Sequence, residues 1–145
     1  MSKIAKGAIG IIEIPSIRAK YDLYYKGARV DEHQHNALLY KRQGCLHIGN
    51  HHGSMSLDGG QWKIQNIKVG DKAHLEYVTG NGCEVVDHVG DYVCYAVMLC
   101  DVDDDMNLYH SGQEVKGYQP TDLICVCCVG KDSTRNYAAF FERID

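Results

Sequence analysis

Two residues near the end of the chain have side chains suited to acyl transfer at a carbonyl group. Cys128 ends the apolar run 123–128, and Arg135 follows after the turn-forming segment 130–133. A guanidinium beside a thiol lowers the thiol pKa and can stabilise a developing oxyanion. A structural role also fits these residues, because free cysteines are commonly small buried hydrophobic residues.

A pair of adjacent histidines supplies a candidate acid and base. His51 and His52 follow the apolar segment that ends at Ile48, and glycines flank the pair on both sides. Loops at the ends of strands often carry catalytic groups, and imidazole titrates near neutral pH. The sequence therefore predicts an imidazole at the mouth of a loop, where it can move a proton.

Short strands must position these groups, because apolar, β-prone runs alternate with turn residues along most of the chain. The predicted strands cover residues 8–15, 20–25, 43–48, 72–78, 83–88, 92–100, 123–128 and 136–144. Segments 30–41 and 109–118 are interpreted as connections or short helices, and 62–69 as a short strand or turn-rich segment. About eight short strands with little helix predict an all-β barrel or sandwich.

Length and composition restrict the class of protein. The 145 residues fit one domain, residues 1–145, and a net charge of −4 without any Lys or Arg run argues against a nucleic-acid partner. Seven cysteines are an odd number, and Cys125, Cys127 and Cys128 lie too close together for a disulfide framework. The sequence predicts reduced thiols, and it shows neither a signal peptide nor a segment of membrane-spanning length.

Taken in order, these motifs resemble the sortases, cysteine transpeptidases of the Gram-positive cell envelope. The segments that carry the resemblance are the opening Gly-x-x-x-Ile-Pro-x-Ile strand at 10–17, the strand leading to a histidine at 48–51, the Gly-Asp turn ending 67–71, the Cys-bearing strand 125–128 and the Arg-bearing hairpin 130–135. Two positions depart from the family pattern. Asn50 stands where the family usually has Gly before the histidine, and Cys127 stands where it has Thr before the nucleophile.

The resemblance implies a fold and a set of catalytic residues. The expected fold is a closed or nearly closed sortase-like β-barrel of about eight strands, with short helices or turns in the connections. The implied catalytic residues are His51, Cys128 and Arg135, with His52 and Cys127 as alternatives. Adjacent residues of a strand point to opposite faces, so only one of the two cysteines can face the cleft. The spacing to Arg135 favours Cys128. The remaining cysteines, Cys45, Cys83, Cys94 and Cys100, are interpreted as structural.

The resemblance also implies the reaction and its partners. Cys128 would attack a carbonyl of a sorting motif in a surface protein, and the resulting thioester would pass to an amine from a cell-wall precursor or a lysine. No cofactor is needed, because the thioester keeps the energy of the peptide bond. The expected location is the outer face of the cell envelope. A cytoplasmic protein, or a trimmed form of an anchored one, fits the lack of a visible anchor equally.

Other interpretations use some of the same residues. His51 and His52 with the cysteines at 125–128 offer ligand types suited to zinc, although their spacing is unlike that of known zinc motifs. The acidic run 101–105 has Asp at alternate positions, as in some calcium loops, without the Gly and Glu of an EF-hand. A sortase-like barrel could also bind a peptide without cleaving it, or a cysteine peptidase could hydrolyse the same bond.

Overall fold

The computed structural model of this chain describes residues 8–25, 36–42, 45–49, 64, 66–77, 88–103, 107–115, 122–129 and 132–144. Within these ranges the main elements are strands. They are β1 Gly10–Ile14, β2 Ala19–Tyr25, β3 Asn36–Arg42, β4 Cys45–Gly49, β5 Lys72–Tyr77, β6 His88–Val102, β7 Leu108–His110, β8 Gln113–Glu114, β9 Leu123–Val129 and β10 Asp132–Arg143. A single turn of 3-10 helix, Pro15–Ile17, joins β1 to β2.

The described strands form one curled sheet that closes on itself. Its order is β10-β9-β4-β3-β2-β1-β5-β6-β7-β8, and β10 also pairs with β6. The pairing of β10 with β6 completes a ring of eight strands, from which β7 and β8 extend as a hairpin. Closure leaves fewer strand edges unpaired, which is the usual reason for a barrel. The prediction of an all-β barrel of about eight strands is confirmed.

Three segments differ from their predicted structure. Residues 36–42 form β3 and not a helix, because their backbone groups pair with β2 on one side and β4 on the other. The region after 108 forms the β7–β8 hairpin. The predicted strand 92–100 is part of a longer strand, β6, which begins at His88 and runs through Gly90. Of the predicted strand 83–88, only His88 lies within the described residues. Long-range pairing outweighs local propensity in each case. The predicted turn at 80–82 lies outside the described residues.

Among the described residues, the interior of the barrel is filled mainly by buried apolar side chains. Alternate residues of each strand point inward, and the largest fully buried side chains include Ile12, Tyr21, Leu75, Tyr92 and Phe141. Burying each aliphatic side chain of this size contributes about 1.5–3 kcal/mol to folding. This core holds β4, β6, β9 and β10 at fixed spacing, which matters because the candidate functional residues lie on or after these strands.

A second apolar cluster covers the opposite, outer face of β4, β6, β9 and β10. Its buried members are Cys45, Cys100, Leu108, Ile124, Val126, Ala138 and Phe140. The strands around the candidate site therefore carry apolar side chains on both faces, which explains why the run 123–128 shows no polar alternation. Within the described residues, no helix is long and apolar enough to cross a membrane.

Candidate functional site

Strand β9 divides its cysteines between two environments. Cys125 and Cys127 point into the barrel core, where they are 0% and 2% exposed. Ile124 and Val126 belong to the outer cluster. Side chains alternate along a strand, so positions 124, 126 and 128 belong to one face of β9 and positions 125 and 127 to the other.

Strand β10 brings Arg135 next to the end of β9. Cys128 pairs with Asn136, the residue directly after Arg135, and Val129 pairs with Asp132. Residues 133–135 therefore have no counterpart on β9, so the ladder contains an irregularity at this point. Bulges of this kind redirect side chains and are over-represented next to active sites. On its other side, Arg135 is in register with Asp101 of β6.

Strand β4 runs parallel to β9 and ends at the same edge of the barrel. Leu46 pairs with Leu123, and Ile48 pairs with Cys125. Parallel strands run in the same direction, so β4 and β9 have their C-terminal ends at the same edge of the barrel. The chain that leaves β4 after Gly49 therefore starts from the edge near which Cys128 lies in β9. His51 and His52, two and three residues beyond Gly49, lie outside the described residues.

The structure thus brings the backbones of two of the predicted residues together. Cys128 and Arg135 lie on neighbouring antiparallel strands, one position apart in register. The alternative nucleophile Cys127 is buried in the core and pairs with Tyr137. Cys128 and Arg135 are seven positions apart in the sequence, and the antiparallel pairing of β9 with β10 brings their backbones together.

Buried polar residues on the same four strands were not singled out from the sequence. His47, Asp122 and Asn136 are 6%, 2% and 7% exposed. Asn136 lies directly opposite Cys128. Asp122, the residue before β9, accepts a hydrogen bond of 2.7 Å from the Tyr95 hydroxyl. In the sequence, these three residues differ from their neighbours only in being polar within apolar segments. Polarity alone does not show that a side chain is buried.

The described cysteines inside the sheet are poorly suited to nucleophilic chemistry. Burial raises the pKa of Cys100 to about 11, and it also raises the pKa of Cys94 and of Cys125. These thiols are protonated at neutral pH, and the thiolate is the nucleophilic form. Cys45 is also buried and is in no disulfide bond. The prediction that Cys45, Cys94 and Cys100 are structural agrees with this burial, and Cys83 lies outside the described residues.

The acidic segment after β6 has a structural role at Asp103. The two carboxylate oxygens of Asp103 accept hydrogen bonds from the backbone and side-chain nitrogens of Asn107, at 2.9 and 3.1 Å. These bonds tie the residue after β6 to the residue before β7. Among the described residues, no group of three or more His, Cys, Asp or Glu side chains is placed to hold a metal ion. His51, His52, Asp104 and Asp105 are not among them.

Comparison of sequences alone finds no relatives. No protein-family model matches the chain, and no curated protein matches it significantly.

Comparison of structures finds consistent neighbours. Sortase A from Listeria monocytogenes superposes with a TM-score of 0.64 at 16% identity, over 96% of this chain and 88% of that one. A lid mutant of Streptococcus agalactiae sortase C1 gives 0.65 at 14% identity, over 98% and 72%. The Clostridium perfringens sortase D5 transpeptidase gives 0.62 at 15% identity, over 99% and 83%. The chain therefore has the sortase fold.

Proposed function

We propose that this chain is a sortase-type cysteine transpeptidase with Cys128 as its nucleophile. The observation that carries the proposal is the register at one edge of the barrel. There, Cys128 is the second-last residue of β9, Arg135 lies in the irregular stretch of β10, and the chain that leaves the parallel strand β4 continues to His51. A thiol, a fixed cation and an imidazole are the groups that acyl transfer from a peptide bond requires.

Each residue has a chemical role in the proposed reaction. The Cys128 thiolate attacks a peptide carbonyl, and the carbonyl oxygen gains negative charge that the Arg135 guanidinium stabilises. His51 donates a proton to the leaving amine, which departs and leaves a thioester on Cys128. His51 then accepts a proton from an incoming amine that attacks the thioester carbonyl, and the C–S bond breaks to release the Cys128 thiolate. No cofactor enters this sequence of steps.

Burial supports Cys128 over Cys127 as the nucleophile. The Cys127 side chain is 2% exposed and contacts the barrel core, so a polypeptide could reach it only if the barrel opened. Position 128, the next position of the strand, belongs to the face of β9 opposite that of Cys127. His52 remains the alternative to His51, because both follow β4 within three residues.

The proposed partners follow from the proposed chemistry. The acyl donor is the sorting-signal peptide of a surface protein, and the acceptor is an amine of a cell-wall precursor or a lysine. Both substrates belong to the cell envelope, where we place the protein. The structural neighbour from Clostridium perfringens is described as a transpeptidase, which agrees with an amine acceptor.

Selective alkylation of the seven cysteines tests the nucleophile. The native protein is treated briefly with limiting iodoacetamide at several pH values, and the modified residue is identified by peptide mapping. We expect one rapidly labelled residue, Cys128, because burial protects Cys94, Cys100 and Cys125. His51→Ala should slow this labelling, and His52→Ala is the matched control.

Two variants make the alkylation result decisive. Cys128→Ala should remove the fast reaction, whereas Cys127→Ala should keep it, and circular dichroism checks the fold of both. Fast labelling of Cys127 in the native protein would overturn the assignment. Labelling that is equally slow at every cysteine, and unchanged by His51→Ala or His52→Ala, would favour a binding module that does not cleave its peptide.

A further inference from the structure

The edge of β6 that faces away from β10 has a gap between its neighbours. β5 pairs with β6 as far as Val93, and the turn at 70–71 bonds to the backbone of Cys94 at 2.8 and 2.9 Å. β7 begins to pair only at Asp101. Among the described strands, none pairs with residues 95–100 on this side.

The ladder register identifies the backbone groups of β6 that point into the gap. The Asp103 N–H donates to the carbonyl of Asn107 at 3.1 Å, so the backbone of Asp103 faces β7. Alternate residues of an antiparallel strand direct their N–H and C=O groups to the same side. The backbone groups of Asp101, Leu99 and Val97 therefore also point away from β10.

Observed contacts agree with this alternation. The His110 Nδ1 donates a hydrogen bond of 2.9 Å to the Leu99 carbonyl from the gap side. The one irregularity between the described residues of β6 and β10 falls at Tyr95, which has no counterpart on β10, so the alternation holds from Val97 to Asp101. In the described structure, the N–H and C=O of Val97 and the N–H of Leu99 thus face the gap without a partner.

A groove lies along the same edge. It has a volume of about 590 Å³, and its lining includes Val97, Leu99, Asp101, Tyr109 and His110. Leu99 is 42% exposed, which is unusual for a leucine in the middle of a long strand. Open backbone groups beside an exposed apolar side chain form a template for another strand.

We propose that this edge of β6 binds an extended polypeptide segment by β-strand addition. Only an extended backbone offers donors and acceptors at the spacing that Val97 and Leu99 present. The segment should carry aliphatic residues opposite these two side chains and a basic residue near Asp101.

The shape of the gap excludes a second copy of this chain as the partner strand. The open edge is recessed by about one strand spacing, ~4.8 Å, behind the turn that follows residue 69 on one side and behind β7 on the other. Two recessed edges cannot approach each other, whereas a single narrow peptide can enter.

The position of the edge connects it to the candidate site. Cys100 of β6 pairs with Asn136 of β10, which pairs with Cys128 of β9. An added strand would therefore lie three strand spacings, ~14 Å, from the β9 backbone. This step rests on the proposed function: we assign the bound segment to the protein substrate. At the length of an extended chain, ~14 Å places that segment about four or five residues from the bond that is cleaved.

Amide hydrogen exchange by NMR tests the open edge directly. The protein used is Cys128→Ala, so that binding is measured without any thiol chemistry and the outcome does not depend on the proposed reaction. In the free protein, the amides of Val97 and Leu99 should exchange much faster than the amides of Met98 and Cys100. If Val97 and Leu99 are already protected, the gap is filled and the proposal is wrong.

A peptide titration tests the occupant. The probe is acetyl-Lys-Thr-Val-Thr-Val-amide at millimolar concentration, which in an antiparallel register places its Lys opposite Asp101 and its valines opposite Leu99 and Val97. The control is the same peptide with N-methyl groups on both valines. We expect chemical-shift changes confined to β6 residues 95–101 and to β7, with new protection of the Leu99 amide. The methylated peptide should cause neither effect. An absence of shifts at these positions would overturn the proposal.

A proline variant separates edge binding from fold stability. Leu99→Pro removes only an N–H that points into the gap, so it should abolish peptide binding and leave the melting temperature nearly unchanged. Leu99→Thr keeps the N–H and should keep binding. Met98→Pro removes a bond to β10 and should destabilise the barrel strongly. Equal destabilisation by Leu99→Pro and Met98→Pro would show that the assigned backbone direction is wrong.

Discussion

Gly49 and Val126 are in such close contact that no side chain fits between them. A Cβ on Gly49 would lie 2.7 Å from Cγ2 of Val126 and 3.2 Å from its carbonyl oxygen. Gly49 precedes His51 by two residues, and Val126 precedes Cys128 by two. This contact therefore sets the distance between the strand ends from which the proposed acid–base and nucleophilic residues emerge.

A methyl group at position 49 should force β4 and β9 apart. We expect Gly49→Ala to destabilise the protein by about 1–3 kcal/mol, as overpacking of a core does, and to slow alkylation of Cys128. Combining it with Val126→Ala removes the clashing Cγ2, so the double variant should be more stable than the sum of the single effects. Denaturant unfolding measures all three free energies.

Gly10 offers the control for this pair. A Cβ there would lie 2.5 Å from the backbone oxygen of Glu76, on the far side of the barrel. The effects of Gly10→Ala and Val126→Ala should simply add. If Gly49→Ala and Val126→Ala also add, the close contact does not control the spacing of β4 and β9.

Loss of the Arg135 guanidinium should reduce acyl transfer without unfolding the barrel. We expect Arg135→Ala to slow release of p-nitrophenolate from a p-nitrophenyl ester by about 10²-fold, the usual effect of removing one oxyanion donor. Arg135→Lys should recover only part of the rate, because an ammonium lacks the planar fork. A rate equal to that of the native protein in Arg135→Ala would remove this residue from the mechanism.

The hydrogen bond between Tyr95 and Asp122 should stabilise the start of β9. The Tyr95 hydroxyl donates to a carboxylate that is 2% exposed, at 2.7 Å. We expect Tyr95→Phe to cost about 1.5–3 kcal/mol, the range for hydrogen bonds to charged groups. Urea unfolding of Tyr95→Phe, Asp122→Asn and the double variant measures the coupling. A coupling energy near zero would contradict the contact.

His74 should make stability depend on pH. Its ring donates hydrogen bonds to Asp91 at 2.6 Å and to Glu76 at 2.8 Å, and Glu13 lies opposite on β1. The bond to Asp91, followed by the bond to Glu76, raises the pKa of His74 although partial burial opposes the shift.

The direction of the pH effect follows from the raised pKa of His74. The fold favours the protonated ring, so the stabilisation is complete below the unfolded pKa of about 6.5 and is lost as the pH rises through the folded pKa. Urea unfolding between pH 5 and 9 measures this decline, which should be smaller in His74→Gln. An identical pH profile in the variant would exclude His74 as the source. Titration of the His74 ring by NMR gives the folded pKa directly.

Residue types and their spacing are enough to predict the class of fold and the positions of most strands. Alternation and turn residues predicted β1, β2, β4, β5, β9 and β10, because these segments combine β-prone apolar residues with Gly, Pro or Asp at their ends. The apolar run 123–128 also showed that only one of two adjacent cysteines could leave the core. It did not show which one, because both faces of β9 are covered and polarity does not distinguish them.

Other features of this fold depend on contacts between segments that are distant in the sequence. The ring closes because β10 pairs with both β9 and β6, and no local pattern encodes that pairing. The core packs around Cys127, the register sets Asn136 opposite Cys128, and β3 is a strand only because two neighbours satisfy its backbone. Each of these depends on hydrogen bonds and packing across many residues of chain, which residue type and spacing do not specify.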